Sequence, residues 1–246
     1  KPVFVLKGTF KKVQALVTPR KVLVVLQFTF AIMLIISTIV VRQQLKNAQD
    51  RQTGYSKDNL LYAFLEGDID KNYTLIKNEL LANGIATSVT KSSAPVTEGW
   101  SNTWGYGWKG KDPNDKTVID RYFADDAICR TAGLQILQGR DFDLAKFPTD
   151  STAVILNEAA VKHMKLASPI GEIITDDGKD WHVVGVIKDF ILKSPFHPVE
   201  PMVIGGAGGW FNVIQMKLNP AKTTAENLGA AEKIYKKYNP NYPFEY

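Results

Sequence analysis

The sequence is poor in the residues from which catalytic and metal centres are most often built. It has one cysteine, Cys129, and three histidines, His163, His182 and His197, in 246 residues. A lone cysteine excludes an internal disulfide, and with no CxxC or Cys/His cluster it gives no sign of zinc; Cys129 reads as a small buried hydrophobe rather than a reactive thiol. The histidines lie 19 and 15 positions apart, with neither HxxxH nor HExxH spacing, and read as independent residues. No GxxxxGK[ST] run occurs, which excludes ATP binding by a phosphate loop, and no GxSxG marks a nucleophile elbow. The glycine-rich stretch GGAGGW at Gly205–Trp210 lacks the lysine and the following helix of a phosphate loop, and reads as a flexible connection between strands. Asp68, Asp70, Asn72 and Glu79 occupy positions 1, 3, 5 and 12 of a calcium loop, but position 6, which needs glycine, holds Tyr73. These acids read instead as caps facing a helix N-terminus. The sequence therefore offers no catalytic, cofactor-binding or metal-ligating residue.

Charge is missing in two places. Residues 1 to 21 contain no acid and six bases, Lys1, Lys7, Lys11, Lys12, Arg20 and Lys21, and the rest of the chain holds 24 basic against 25 acidic residues. The net charge of +5 is thus local. A nearly neutral body argues against nucleic-acid binding, which needs a basic patch on the folded part. Val22 to Val41 carries no charge over twenty residues, with Gln27, Thr29, Ser37 and Thr38 its only polar side chains. At about 1.5 Å per residue it spans roughly 30 Å, the thickness of a hydrocarbon core. The run is longer than a signal-peptide core, no small-x-small cleavage site follows Val41, and globular core helices rarely stay uncharged so long; a transmembrane helix is expected. Only Arg42, Lys46, Arg51 and Lys57 flank its far end, so the positive-inside rule places residues 1–21 in the cytoplasm and residues from about 42 outside. Gln27 is expected to seek a partner on another helix.

After Val41 the segment RQQLKNAQDRQT is made mostly of good helix formers, and Gly54 suits the left-handed position that ends a helix. Residues 42–58 are expected to form a stalk helix and connection, with a short solvated linker as the alternative. From Asn59 the pattern predicts a β-α-β unit: strand Leu60 to Leu65, helix Asp70 to Ala82 burying Tyr73, Ile76 and Leu80, a stop at Asn83-Gly84, and strand Ile85 to Lys91. The stretch WSNTWGYGWKGKDPND, with Trp100, Trp104, Tyr106 and Trp108, reads as a strand edge or loop whose aromatics fill a hydrophobic edge, a ligand platform being the alternative. Then come strand Thr117 to Ala124 and helix Asp125 to Gln138 closed by Gly139. An insert follows: strand Ala153 to Leu156, helix Glu158 to Met164, a hairpin at Asp176-Asp177-Gly178 and strand Trp181 to Phe190. Pro195, Pro198 and Pro201 lead out to strand Val213 to Leu218. A last helix opens with a capping box from Thr223 to Glu226 and buries Leu228, Ala231, Tyr235 and Tyr238. The fold class is α+β, a split β-α-β domain with an insertion.

Several strings in this order give the chain a family likeness: KPVFVLKG at residues 1–8, RKVLVVLQFTFAIMLI from Arg20, GYSKDNLL from Gly54, GLQILQGRDF ending at Phe142, VVGVIKDF at Val183–Phe190, HPVEPMVI and the terminal PFEY. The chain resembles the MacB/FtsX-type permeases of ABC transporters, in the two-halved form common in Bacteroidetes. The resemblance implies a cytoplasmic link at 1–21, a membrane helix at 22–41, a Porter-like lobe at 59–138 and 200–246, and a Sabre-like inserted lobe at 139–199. It also implies further membrane helices, so the sequence is expected to be part of a longer, non-catalytic permease of a bacterial inner membrane. The partners implied are a separate cytoplasmic ABC ATPase, a second permease half or dimer mate, and a periplasmic adaptor. Such a permease turns ATP hydrolysis into a periplasmic movement that exports or extracts substrate. The rival reading is a membrane-tethered extracytoplasmic sensor or ligand-binding domain, against which the GRDF and GVIKDF strings count.

Overall fold

A computed structural model of the chain describes residues 19–50, 53–192 and 198–246. The chain forms two compact units, Lys1–Arg51 and Gln52–Tyr246. In the first, α1 (Pro19–Asp50) is a helix of 32 residues that begins at a proline, whose missing N–H costs nothing at that position, and runs nine residues past Val41. Its stretch Pro19–Lys46 is long and apolar enough to cross a membrane, and none of its most apolar window is buried. Leu23, Phe28 and Leu34 are each about two-thirds exposed, which would be unfavourable in water but suits lipid. The hydroxyls of Thr29 and Thr38 donate to the carbonyls of Val25 and Leu34 at 2.8 Å, so the helix satisfies these polar groups itself.

The second unit contains two sheets. Its elements in chain order are β1 (Leu60–Phe64), α2 (Tyr73–Ala82), β2 (Ala86–Ser92), β3 (Asn102–Thr103), β4 (Gly107–Trp108), β5 (Ile119–Phe123), α3 (Ile128–Ala132), β6 (Ile136–Gly139), β7 (Ala153–Asn157), α4 (Glu158–Met164), β8 (Ile173–Asp176), β9 (Lys179–Ile187), β10 (Met202–Gly205), β11 (Val213–Leu218) and α5 (Thr224–Tyr238). The smaller sheet has the order β1-β11-β2, with β11 antiparallel to both neighbours. α2 and α5 cover one face, where Tyr73, Ile76 and Leu80 meet Val89, Ile214, Met216, Ala231 and Ile234. The capping box of α5 is formed as expected: Glu226 N–H donates to Thr223 Oγ1, and Thr223 N–H donates to Glu226 Oε2 at 2.8 Å. Its buried stripe includes Asn227 and Ile234 beside Ala231 and Tyr235, while Leu228 and Tyr238 are half-buried.

The larger sheet has the order β3-β5-β10-β7-β9-β8-β4, with β6 also pairing β9. β3 lies at one edge and β4 at the other, and both come from residues 102–108, so one short aromatic segment straps the two edges together. Tyr106 at its middle is 2% exposed, Trp108 packs onto the core, and Trp104 points into solvent at 65% exposure. These aromatics therefore form no shared platform. The β8–β9 hairpin turns at Asp177 and Gly178, whose φ of 49° and 75° fit a type I′ turn. Strands on both sides of positions 138–139 and 199–200 share this sheet, so the lobe boundaries expected there do not coincide with a sheet boundary.

Two parts of the body differ from expectation. The helix expected over Asp125 to Gln138 is only Ile128–Ala132; Gly133 ends it at φ 70° and Ile136–Gly139 becomes β6. The helix-forming composition of residues 134–138 is overridden by pairing of Ile136 with Ile187 and of Gly139 with Gly185. β10, which follows the prolines, was not expected at all, and it lies inside the sheet between β5 and β7.

Candidate functional site

Three strings far apart in sequence converge at one place in the body, and they do so around residues 53–58, which follow α1 in the chain. Ser56 N–H donates to Ala132 O at 2.8 Å, at the end of α3, and Ile191 N–H donates to Thr53 O at 2.7 Å. Lys217 of β11 donates to Ser56 Oγ at 2.6 Å and to the carbonyl of Asp58. Desolvation holds the Lys217 ammonium below the ordinary lysine range, although Asp58 partly opposes this. Two glycines make the fit. At Gly54, φ is 82° and a Cβ would stand 2.7 Å from Phe190 Cβ; at Gly133 it would stand 2.6 Å from Ser56 Cβ. Tyr55 meets the Phe190 ring edge-on at 6.4 Å. Residues 53–58 are thereby held to the larger sheet through α3 and Phe190–Ile191, and to the smaller one through Lys217.

The same strings continue outward from this grip. Lys188 N–H donates to Gln135 O, Arg140 N–H donates to Val184 O, and Gly139 lies opposite Gly185. A Cβ on Gly185 would stand 2.5 Å from Arg140 O, so the two strands approach as closely as backbone allows. Arg140 then forks onto Asp150, which is fully buried, with N···O distances of 2.5 and 2.8 Å, and its guanidinium lies 3.8 Å from the Phe147 ring centre. Asp150 also accepts the Asp143 N–H. Asp189 accepts the N–H of Ala159 in the first turn of α4, and Glu158 accepts the Asp189 N–H. Each charged residue of GRDF and VIKDF for which a partner is known thus serves structure.

A polar seam joins the two sheets. Asp125, 6% exposed, accepts from Tyr73 Oη at 2.6 Å, Thr90 Oγ1 at 2.7 Å and Lys91 N–H at 2.8 Å. Neighbouring Asp126 takes Lys77 at 2.5 Å, and burial, then the charge of Asp125, raises its carboxyl above the ordinary range. Gln215 of β11 accepts from Val96 N–H and donates to Ser92 Oγ and Tyr122 Oη, while Ser88 and Thr131 share a hydrogen bond of 2.6 Å. Buried polar groups so fully matched hold two surfaces in one register.

The residues singled out by motif do not assemble. Asp70 pairs with Lys91, Asn72 donates to the Tyr238 carbonyl, and Glu79 accepts from Lys237 and the Tyr238 hydroxyl, so these three would-be calcium ligands are engaged with α5 and β2 instead of with one another. Among the described residues no group of His, Cys, Asp and Glu is placed to hold a metal. His163 lies 3.0 Å from Asp115 and against Trp108; His182 lies within β9, and His197 lies outside the described residues. Cys129 is buried in the core, and burial, then the Asp141 charge, pushes its thiol far above the ordinary range. The GGAGGW stretch does connect strands, but it is tightly packed: Gly206 N–H donates to Ala153 O and Gly208 N–H to Ser151 O. Lys217 and Ser56 were missed by sequence reasoning; Gly54 was a signal near Ser56, and the residues around Lys217 offered none.

An apolar helix followed by a two-sheet α+β body is the plan of a membrane-anchored domain. The model of the MacB-like periplasmic core domain matches residues 22–226, and the chain belongs to that family, the ABC-transporter permeases its strings suggested. No curated protein sequence matches it. Its fold is similar to the periplasmic region of MacB from Actinobacillus actinomycetemcomitans, with TM-score 0.55 and 15% identity over 81% of this chain and 92% of that one. It is also similar to the extracellular domain of the noncanonic ABC-type transporter YknZ from Gram-positive bacteria, with TM-score 0.50 and 15% identity over 74% and 94%.

Proposed function

We propose that the chain is part of a non-catalytic permease in a bacterial inner membrane, with residues 1–21 as a cytoplasmic link, 22–41 in the membrane and the body in the periplasm. A separate cytoplasmic ATPase supplies energy, and a second permease half or a dimer mate completes the transporter. The helix and the connection through residue 58 carry movement into the body, which exports or extracts substrate. A periplasmic adaptor would meet the body on the far side of the membrane. One observation carries this reading: residues 53–58 are fixed to both sheets at once, by Ala132, Ile191 and Lys217. A linker that only tethered a sensor would need no such grip, whereas a pull or twist delivered there reaches the whole body.

The full-length permease, tagged and purified in mild detergent, is expected to bring with it a nucleotide-binding subunit and vanadate-sensitive ATPase activity. Spin labels at Lys116→Cys on paired copies should change separation on vanadate trapping. With Ala48→Gly and Gln49→Gly in α1, each costing roughly 1 kcal/mol of helix, the ATPase should persist and the separation change should shrink. Repeatedly ATPase-free preparations would move the chain to the tethered-sensor class. An undiminished separation change in the glycine variant would sink the coupling role alone.

A further inference from the structure

β1 is one of the two outer strands of the smaller sheet, and its free side is the longest uninterrupted edge without a charge among the described residues of the body. Leu65 N–H donates to Asn212 O and Leu218 N–H to Asn59 O, so the odd-numbered residues of this strand face β11. The N–H and C=O of Tyr62 and Phe64 therefore face outward, and no hydrogen bond from a described residue reaches them, although Pro243 and Phe244 of the chain's end stand near Phe64. On the opposite edge of the same sheet, Lys91 N–H is taken by Asp125 and Ser93 N–H by Phe123 O. In the larger sheet the outer strands β3 and β4 are two residues long and belong to one strap, and β6, which pairs only with β9, is four residues long and interrupted by a register shift. β1 has five residues, LLYAF, without the charge, proline or bulge that ordinarily blunts an edge.

The surroundings of this edge are aromatic and acidic. Phe64, 41% exposed, stacks on Trp100, 44% exposed, with centroids 6.2 Å apart and planes within 8°, and Tyr62 meets Phe64 edge-on at 5.8 Å. Glu98 accepts the Trp100 indole N–H at 2.7 Å. Glu66 and Glu245 share a small hollow with Phe64 whose lining contains no lysine or arginine.

We infer that this edge binds an extended peptide carrying a basic side chain. The peptide adds as a fourth strand along β1, pairing with the backbone of Tyr62 and Phe64, and sets an arginine or lysine on the Phe64–Trp100 rings within the field of Glu66 and Glu98. A second copy of the chain fits less well. Antiparallel pairing of two β1 strands about Tyr62 would oppose Asp58 and Glu66 at both ends, and like charges so placed repel. Five residues of strand are also a small part of the roughly 1,600 Å² that a stable dimer buries. The assignment goes beyond the coupling role and does not depend on it.

The test uses the whole chain in detergent micelles and a capped, fluorescently labelled heptapeptide alternating valine and arginine, followed by polarisation. Saturable binding is expected, with a loss of about tenfold or more when one alternate set of peptide amides is N-methylated and little change with the other set, as strand addition requires. Replacing arginine by glutamate in the peptide should abolish binding. Trp100→Ala and Glu66→Gln/Glu98→Gln should each weaken it several-fold, about what loss of an exposed cation–π contact or of nearby charge allows. Tyr62→Pro places proline at an outward-facing amide and should block the edge without loss of a bond to β11. No saturable binding, equal effects of both methylated sets, or binding indifferent to both Trp100→Ala and Tyr62→Pro would overturn the inference. Self-association of the chain that Tyr62→Pro abolishes would assign the edge to a second copy and overturn it too.

Discussion

The smaller sheet of the body has strands of five to seven residues, helices on one face and an ordinary apolar layer between them. The larger is assembled from eight strands of two to nine residues, with both edges held by one strap and β6 pressed against β9 at paired glycines. The first kind of structure depends on side-chain burial, which tolerates change wherever a side chain can reach solvent. The second depends on how closely backbones approach, which tolerates almost none. The same one-carbon substitution should therefore have opposite signs in the two regions.

Gly139→Ala carries the largest expected effect. Its φ is 70°, and an added Cβ would fall within contact distance of Val184 O, with Gly185 Cα only 3.0 Å away. Left-handed backbone costs an alanine about 1–2 kcal/mol and overlap with backbone another 1–3, so a loss of roughly 3 kcal/mol in urea unfolding of the purified protein is expected. Gly229→Ala should instead stabilise. Gly229 is exposed within α5, and an added Cβ meets nothing within 4 Å. The helix should gain about 0.5–1 kcal/mol, read as a rise in the urea midpoint with unchanged slope. Equal effects of the two substitutions would erase the distinction between the sheets.

This difference also decides what could be read from the sequence. α5, α4 and β11 rest on local signals, a capping box, an Asn N-cap followed by Glu, and the alternation of Ile214, Met216 and Leu218 with Gln215 and Lys217, and they form where those signals place them. α2 also buries Tyr73, Ile76 and Leu80 as its spacing requires. By contrast, nothing local in GLQILQ tells a helix from a strand; what makes Ile136–Gly139 a strand is β9, some fifty residues on. The two-residue strands of the strap are shorter than any periodicity can register, and β10 is four fully buried residues directly after a proline, without alternation. The grip on residues 53–58 was legible only in part. Its strings could be recognised, but that Gly54 faces Phe190 and Gly133 faces Ser56 is a statement about contacts between segments about 80 to 135 positions apart, which spacing along the chain cannot carry.

The smallest expected effect lies between the helices of the smaller sheet. Glu79 of α2 accepts from Lys237 Nζ and Tyr238 Oη of α5, both at 2.5 Å, and these two hydrogen bonds, the Lys237 one foremost, hold its carboxyl below the ordinary glutamate range. A folded-state value lower than the unfolded one means that the contribution is complete above the unfolded value, about 4.3, and is lost as pH falls through the folded value. Glu79→Gln should therefore lower the melting temperature slightly at neutral pH. The gap between the two proteins should close as the pH is taken from 6 to 3 and narrow with added salt, since both side chains are then neutral or screened. The site is open to water, so the change stays small beside either glycine substitution. A gap independent of both pH and salt would mean that the hydrogen bonds, which glutamine can partly keep, matter here and the charge does not. The joining of α2 to α5 would then rest on packing and hydrogen bonds rather than on charge.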